Sequence, residues 1–358
     1  MRRVTLVLLV AYIVVVGFGE NVFAAEINVN SIAELNTAIA NASAGDTLIL
    51  ADGTYTDQGI INFFAYGTEN NPITVRAQTP GGVVFTGSPG YFITMTGEYL
   101  ILTGFHFQDL SGVGVTISLV DADNCRVTDC YFDNCDQFGG VIEIRGIANN
   151  YLSFVGPSTY NQIDHCIFSE CENVNIENFI VDVESYPAPD LENIHNKIDH
   201  CIFQNTAHST IQNGRGSSLW GGNRGYVAEN AADAYLIVEY SYFTGITAQK
   251  SIESKSSSNT YRYNFFENNV PGELSLRGGD DCIVEGNFFY EDGMRNTGLY
   301  RGIKISGTGH IIRNNYLEGA TSPTYDTHLA IVLQWGQSDL FYQPVSNVLV
   351  ANNVIRNT

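Results

Sequence analysis

Basic residues are scarce in this sequence. Its 358 residues include 17 lysines and arginines against 38 aspartates and glutamates, so the formal net charge is −21 at pH 7. A protein that binds nucleic acid through its surface needs a broad excess of positive charge, and we therefore exclude nucleic acid as a partner. The chain is long enough to bury a large core, as one elongated domain or as two globular ones.

Long apolar runs are missing beyond the N-terminal segment 1–24. Arg2 and Arg3 precede an apolar run over 4–18, and the stretch V-F-A at 22–24 offers a cleavage site before Ala25. This order is typical of a secretory signal peptide. A membrane anchor is the alternative, but the run is short for one and no later segment is apolar enough to span a bilayer. The sequence predicts a signal peptide over 1–24 and a secreted or periplasmic protein without membrane contact.

Cysteines are few, and their spacing matches no zinc or redox motif. There are seven, an odd number for an exported protein, and a repeat in the sequence explains them better than metal chemistry does. We interpret them as small buried side chains of that repeat. A disulfide between neighbouring repeats, such as Cys135 with Cys171, stays open on geometric grounds.

The repeat begins at position 98. Each copy has an apolar residue, then Cys, Asn or a substitute three positions later, then a large apolar residue after two more. The alternation is that of β-strands, and a spacing within the range of roughly 20–50 residues that solenoid repeats show indicates a stacked array. The copies end at Phe107, Phe132, Phe168, Phe203, Phe243, Phe266, Phe289, Leu317 and Ile355.

The middle position of the repeat suggests how the copies stack. In a parallel β-solenoid, equivalent residues lie about 4.8 Å apart, and asparagine amides can hydrogen-bond up and down such a column. We therefore predict an all-β fold, a right-handed parallel β-helix, as a single domain over 25–358. The middle positions are Phe105, Cys130, Cys166, Cys201, Ser241, Asn264, Asn287, Asn315 and Asn353.

Both ends of the stack carry expectations. Residues 31–43 have helical apolar spacing, with Ser31 as N-cap and Glu34 completing a capping box, and this helix is expected to cover the edge of the first rung. Residues 355–358 fall inside a repeat, so we expect C-terminal rungs that this sequence does not include.

The few cations are concentrated in one region. Ten of the seventeen lie between Arg215 and Arg313. Lys255, Arg277 and Lys304 precede the ends of three successive copies by nearly the same interval, which predicts a vertical ladder of charge suited to an anionic polymer. The alternative is a set of ordinary surface cations paired with acidic neighbours such as Glu253, Glu273 and Glu285.

The chain resembles polysaccharide lyase family 6, which contains alginate lyases and chondroitinase B. The resemblance covers nearly the whole mature chain and is sharpest at E-S-K-S-S-S-N-T-Y-R-Y-N-F-F, G-E-L-S-L-R-G-G and I-K-I-S-G-T-G-H-I-I-R-N-N-Y-L. It implies β-elimination on a uronic-acid polymer, alginate ahead of dermatan sulfate. It also implies that Lys255 of the K-S-S motif is the general base and Arg277 the acid.

The implied chemistry makes demands on these residues. The substrate carboxylate must be neutralised before its C5 proton can be removed, and the base must have a lowered pKa. Arginine is a poor proton donor because its pKa exceeds about 12. We therefore expect Arg277 to stabilise charge, or to relay a proton through water or a tyrosine. Glu253, two residues before Lys255 on the same side of its strand, is placed to hold the amine.

The sequence departs from the family at three points. Many members bind calcium through Glu-x-Glu five to seven residues before the lysine, where this chain has Ala248-Gln249-Lys250. We therefore predict no metal or other cofactor, with calcium kept open, and we assign carboxylate neutralisation to Lys250. Gly278 replaces the histidine of R-H-G, which puts substrate preference in question. Lys304 stands where members have a sugar-binding arginine.

Further residues complete the predicted site. Arg215 and Arg301 are expected to assist Lys250, and His310 to face the substrate groove. Together with Lys304 and Glu253, they are the predicted substrate-binding residues. His165 and His200 recur at one position of the repeat and are predicted to stack structurally.

Two other classes of function stay open. Asp280-Asp281, G-T-G-H over 307–310 and R-G-I-K over 301–304 resemble motifs of a polygalacturonase-like hydrolase, but in the wrong order and without its N-T-D element. A non-catalytic carbohydrate-binding solenoid is the other alternative. The oligomeric state is left open.

Overall fold

A computed structural model gives the structure of most of the chain. It describes residues 24–88, 93–112, 114–137, 140–145, 156–171, 181–184, 194–207, 210–213, 233–248, 250–269, 272–292, 302–319, 330–333 and 344–356. The predicted signal peptide lies outside these residues, except for Ala24. No helix in the described part of the chain is long and apolar enough to cross a membrane.

The described residues form short strands and one helix. The first elements are β1 (Glu26–Val29), α1 (Ile32–Ala40), β2 (Thr47–Leu50), β3 (Gly53–Thr56), β4 (Ile61–Tyr66), β5 (Ile73–Ala77), β6 (Val83–Gly87), β7 (Ile93–Glu98), β8 (Leu100–Thr103), β9 (Phe105–Gly112), β10 (Ile117–Asp123), β11 (Arg126–Thr128) and β12 (Tyr131–Gln137). The middle elements are β13 (Ile142–Arg145), β14 (Gln162–Asp164), β15 (Ile167–Ser169), β16 (Val181–Glu184), β17 (Lys197–Asp199), β18 (Ile202–Gln204), β19 (Ile211–Asn213), β20 (Ile237–Glu239), β21 (Tyr242–Thr244), β22 (Lys250–Ser254), β23 (Thr260–Arg262) and β24 (Phe265–Glu267). The last elements are β25 (Glu273–Leu276), β26 (Ile283–Glu285), β27 (Phe288–Tyr290), β28 (Ile303–Ile305), β29 (Ile311–Arg313), β30 (Tyr316–Glu318), β31 (Ile331–Leu333), β32 (Leu349–Ala351) and β33 (Val354–Arg356).

The strands form three parallel sheets. Sheet I has twelve strands, from β1 and β2 through β5 and every third strand to β32; sheet II has ten, from β4 to β31; sheet III has eleven, from β3 to β33. The chain visits sheets II, I and III in turn, so each circuit adds one strand to every sheet. The predicted parallel β-helix is confirmed.

The helix begins as predicted and ends at Ala40, earlier than predicted, with Asn41 as its C-cap. The Ser31 hydroxyl accepts the Glu34 N–H at 3.2 Å. The Glu34 carboxylate accepts the N–H of Asn30 at 2.8 Å rather than that of Ser31, so the capping box is displaced by one position.

The helix covers the edge of sheet II. The Asn36 side chain donates to the Ile60 carbonyl at 2.9 Å and accepts the N–H of Asn62 at 3.0 Å. These bonds satisfy backbone groups at the start of the edge strand β4 that could otherwise pair with another chain.

Each copy of the repeat forms the corner between sheets I and III. In the copy around β23 and β24, Tyr261, Asn264 and Phe266 all point inward and are buried. The terminal phenylalanines stack in one column from Phe107 to Phe289, with centroids 4.4–5.0 Å apart and nearly parallel rings. Burial of each such side chain contributes roughly 1.5–3 kcal/mol.

Asparagines form the predicted ladder beside this column. The Asn287 amide donates to the Tyr261 carbonyl at 2.9 Å and to Asn315 Oδ1 at 3.0 Å. Its own Oδ1 accepts from the backbone N–H and the amide of Asn264, at 3.0 and 3.1 Å. The buried amides are therefore satisfied by the rungs above and below them.

All seven cysteines are buried free thiols, so the Cys135–Cys171 disulfide does not form. Cys135 donates instead to the Phe107 carbonyl at 3.5 Å, and Cys171 to the Phe132 carbonyl at 3.6 Å. Each thiol thus satisfies a carbonyl of the preceding rung. Burial raises the pKa of Cys125 to about 12 and that of Cys282 to about 11.

The last described strands leave inward-facing residues uncovered. Val350 and Ile355 are 45% and 46% exposed. Their equivalents one rung earlier, Ile312 and Leu317, are fully buried. The expectation of further C-terminal rungs stays a prediction.

The asparagine ladder can be tested by substitution of one amide. Asn287→Ala is expected to lower the free energy of unfolding by at least about 3 kcal/mol, because several buried partners lose hydrogen bonds worth roughly 1–3 kcal/mol each. Asn28→Ala, at an exposed position of β1, is the control and should change stability by about 0.5 kcal/mol or less. Urea denaturation followed by circular dichroism measures both; equal effects would contradict the ladder's role.

The state of the cysteines can be tested with a thiol reagent. We expect no reaction of the native protein with Ellman's reagent and seven thiols after denaturation without reductant, because burial of the thiols prevents attack. Five thiols after denaturation would indicate a disulfide and contradict the structure.

Candidate active site

Strands β22 and β25 bring Lys255 and Arg277 together. Ser254, the last residue of β22, pairs with Leu276, the last residue of β25. Lys255 directly follows the first strand and Arg277 directly follows the second. The Ser254 carbonyl accepts the N–H groups of Arg277 and Gly278, at 2.9 and 3.1 Å. Lys255 and Arg277 are far apart in the sequence, but in the structure they therefore lie about 4.8 Å apart, which is one strand spacing.

Glu253 lies at the centre of three cations. Its Oε1 accepts from the Lys250 ammonium and, at 2.7 Å, from Arg277. Its Oε2 lies 3.2 Å from the Lys255 ammonium. The Glu253 side chain is only 2% exposed. The side chains thus form a compact cluster, which we call the Glu253 cluster: Lys250, Glu253, Lys255 and Arg277.

The Glu253 cluster shifts the pKa values of its members. Burial alone would raise the pKa of Glu253, but Lys255, Lys250 and Arg277 outweigh it and lower that pKa to about 2. Burial lowers the pKa of Lys255; the Glu253 carboxylate opposes this, whereas the charges of Arg277 and Lys250 add to it. The net result is a lysine whose pKa lies below its usual value.

Access to solvent differs among the three cations. The side chains of Lys255 and Arg277 are 26% and 22% exposed, whereas that of Lys250 is 10% exposed. A ligand arriving from solvent therefore meets Lys255 and Arg277 first. Lys250 lies behind them, against the carboxylate.

Lys304 does not continue the column of Lys255 and Arg277. It pairs with Ser275, which pairs with Glu253, whereas Ser306 follows Arg277 in the next rung. The prediction of a three-residue ladder was wrong. It counted back from the end of each copy of the repeat, and the turn after Arg277 is one residue longer than the equivalent turns in the rungs on either side, so the count did not give the true register. Lys304 still faces outward, two positions back along the strand.

His310 does not face a groove, and that prediction was wrong. It is fully buried; its Nδ1 accepts the Cys282 N–H at 3.1 Å and its Nε2 donates to the Ser306 carbonyl at 3.0 Å. Asn259 holds the equivalent position in an earlier rung, where its amide oxygen accepts the Leu236 N–H. His310 therefore uses an imidazole nitrogen where Asn259 uses an amide oxygen. Burial lowers the pKa of His310.

The other predicted residues fall elsewhere. Arg215 and Arg301 lie outside the described residues. The rings of His165 and His200 stack with centroids 5.0 Å apart, and each contacts the aspartate before it, so the predicted structural stacking is confirmed.

Sequence reasoning missed two residues that shape the turn carrying Lys255. The buried Asn259 amide donates to the carbonyl and the hydroxyl of Ser256, at 2.8 and 3.0 Å. Gly279 has φ +80° and packs so closely that an added Cβ would lie 2.3 Å from the Ser256 backbone. The asparagine of K-S-S-S-N and the second glycine of R-G-G were the available signals.

The surroundings of Lys250 do not suit calcium. Calcium takes six to eight oxygen ligands. Ala248 supplies no side-chain oxygen, Lys250 places an ammonium there, and both Glu253 oxygens already bind cations. The described residues contain no cluster of three or more histidine, cysteine or acidic side chains that could hold a metal ion. We therefore derive no step through a metal.

Comparisons with known proteins agree with the fold. The family model described as chondroitinase B matches residues 29–358. No curated protein is similar enough to match.

Solved structures show the same architecture. One is a mutant of AlyGC, a PL6 family alginate lyase; it is 28% identical with a TM-score of 0.69, and the match covers 86% of this chain but only 40% of that one. This chain therefore spans less than half the length of AlyGC. A mannuronic-acid-specific family 6 lyase from human gut microbiota is 24% identical with a TM-score of 0.70, covering 92% and 74%. The PL6 lyase Pedsa3628 from Pseudopedobacter saltans is 21% identical with a TM-score of 0.63, covering 92% and 77%.

The close contact at Gly279 can be tested against a matched glycine. Gly279→Ala is expected to destabilise the protein by about 1–3 kcal/mol more than Gly81→Ala, because an overpacked contact adds to the cost of the left-handed backbone. Gly81 has a similar φ of +77° with open space around it. Urea denaturation measures both free energies of unfolding. Equal losses of stability would contradict the prediction, because they would mean that the Ser256 backbone moves aside without cost.

Proposed function

Because the chain belongs to the chondroitinase B family, we propose that it is an exported polysaccharide lyase that cleaves a uronic-acid polymer by β-elimination. The observation that carries the proposal is the Glu253 cluster, in which a lysine of lowered pKa lies beside an arginine. Alginate is the proposed substrate, ahead of dermatan sulfate, because the PL6 neighbour that is 28% identical is named an alginate lyase.

Lys255 is the proposed general base. Its neutral amine takes the C5 proton of the uronate, and the electron pair of that C–H bond forms the C4=C5 double bond while the C4–O4 bond breaks. The oxygen leaves with the preceding sugar, which gains a reducing end after protonation. The lowered pKa of Lys255 supports this role, since only the neutral amine can accept a proton.

Arg277 and Lys250 are the proposed charge stabilisers. Arg277 lies at the solvent side beside Lys255, where its guanidinium can bind the substrate carboxylate as negative charge grows on C5. An arginine side chain stays protonated in proteins and is a poor proton donor, so water or a tyrosine is the proposed donor of the proton to O4. Lys250 adds a second positive charge behind it.

The charge of the Glu253 cluster suits one uronate carboxylate. Three cations and one carboxylate carry +2, and this becomes +1 when Lys255 is neutral and ready to act as base. One substrate carboxylate then brings the site to neutrality. Lys304, one rung further, is proposed to contact the polymer, as are Arg215 and Arg301.

A hydrolase is disfavoured by the same geometry. Glycoside hydrolysis uses two carboxyl groups, one of which must be protonated. Glu253 is buried among three cations with a pKa of about 2, so it cannot serve as that acid. Asp280 of the Asp280-Asp281 pair accepts the Thr308 N–H at 2.8 Å within a turn.

The function is tested on the mature protein with alginate and with dermatan sulfate in the presence of a chelator. Ultraviolet absorbance of the unsaturated uronate should rise with the wild type, and Lys255→Ala should lower kcat by about 10²–10⁴-fold because the base is lost. Lys197→Ala, which removes a paired lysine from sheet I, is the control and should retain activity.

Other outcomes assign the function differently. Product only after calcium is restored would keep the lyase and remove Lys250 as the neutralising cation. Reducing ends without ultraviolet absorbance would indicate a hydrolase. Saturable binding without any product would indicate a carbohydrate-binding solenoid.

A further inference from the structure

Glu253 is placed to organise the site rather than to bind the substrate. Its carboxylate is buried and both oxygens already bind cations, so its predicted role as a substrate-binding residue does not suit its surroundings. We propose that Glu253 and Lys250 form a buried ion pair that positions Lys255 beside Arg277 and sets the pH range in which Lys255 is neutral. Only the activity measurement of the test rests on the proposed lyase function.

The two oxygens of Glu253 divide the cations between them. Oε1 binds Lys250 and Arg277, while Oε2 faces Lys255. Lys255 and Arg277 would repel each other at one strand spacing, and the repulsion is strong where burial lowers the dielectric constant. The carboxylate between them offsets this repulsion and fixes both side chains through separate oxygens.

Lys250 balances the carboxylate. Alone, Glu253 would stabilise the protonated form of Lys255 and work against a base. The ammonium of Lys250 on Oε1 offsets that effect, so Lys255 keeps its anchor without being held in the charged state. In this ion pair, Glu253 positions Lys255, and Lys250 offsets the effect of the Glu253 charge on the pKa of Lys255.

The charged residues on the stacked strands around Lys255 come from β22, β25 and β28, and those that act on Lys255 are Glu253, Arg277 and Lys250. Lys250 and Glu253 lie on its own strand β22, Glu273 and Arg277 on or directly after β25, and Lys304 on β28. Strand β19 places an uncharged glutamine opposite Glu253. Two of these groups act on Lys255 with opposite sign and can be neutralised one at a time: Glu253 raises its pKa and Lys250 lowers it.

The signs of two substitutions follow from this arrangement. Glu253→Gln removes the anion, so the pKa of Lys255 falls further and the acid limb of the kcat/KM profile moves to lower pH. Lys250→Met removes a cation, so that pKa rises and the limb moves to higher pH. The double variant changes no net charge, and its limb should return towards that of the wild type.

Two measurements test the inference. The first is the pH profile of kcat/KM on alginate, whose acid limb reports the base of the free enzyme. The second needs no activity: the rate of acetylation of Lys255 by acetic anhydride, followed against pH by peptide mass spectrometry, titrates its amine directly. Lys197→Met, a paired lysine on sheet I, is the control and should move neither curve.

Shifts of opposite sign in the acetylation curves, with partial recovery in the double variant, would establish the inference whether or not the protein is a lyase. Shifts of the same sign, or no shift, in variants that retain the wild-type circular dichroism spectrum would overturn it. If Glu253→Gln alone fails to fold, the Lys250→Met and double-variant curves still decide, since the first must lie above the second. An inactive wild type with opposite acetylation shifts would refute the lyase and keep the positioning role.

Discussion

Stacking of parallel strands is the constraint on which the rest of this structure depends. Because every circuit of the chain adds one strand to each sheet, each side chain lies about one strand spacing from its equivalents above and below. A buried polar group therefore finds its partners mainly in the adjacent rungs. Asn287 satisfies this condition with its neighbours Asn264 and Asn315. His310 satisfies it with an imidazole nitrogen, and the thiols satisfy it by donating to carbonyls of the preceding rung.

The same constraint creates the site on the outer face. Outward residues of successive rungs are also forced together, which brings Lys255 and Arg277 side by side although they are far apart in sequence. Inside a stack, identical residues stabilise one another; outside it, identical charges repel. A column that holds two adjacent cations therefore needs a counterion close by, and Glu253, two positions earlier on the same face of β22, provides it.

Much of this could be predicted because stacking leaves a periodic record in the sequence. The repeat, its inward asparagines and the start of the helix were all readable, since each depends on local spacing. The position of Lys304 could not be predicted. One extra residue in a turn changes the spacing counted along the sequence, although the strands on either side still pair in register. The inward orientation of His310 was hidden for a related reason: an imidazole nitrogen can replace an amide oxygen in a column, and residue type alone does not show which face it occupies. Spacing also left a disulfide between Cys135 and Cys171 open, and the structure excludes it because both thiols are free and buried.

The protein as a whole is negatively charged, whereas the Glu253 cluster is positively charged. Both can hold because electrostatic interactions at the surface act over only a short distance in salt solution. A net charge of −21 would repel an anionic polymer if it acted at long distance. At physiological ionic strength, however, the Debye length is about 8 Å, so most of the acidic surface is screened from a ligand near the Glu253 cluster. The partly buried cations are screened much less, because solvent ions cannot surround them. Concentrating three cations in a partly buried cluster with its own counterion thus lets a strongly acidic chain present a positive site where the proposed polymer would bind.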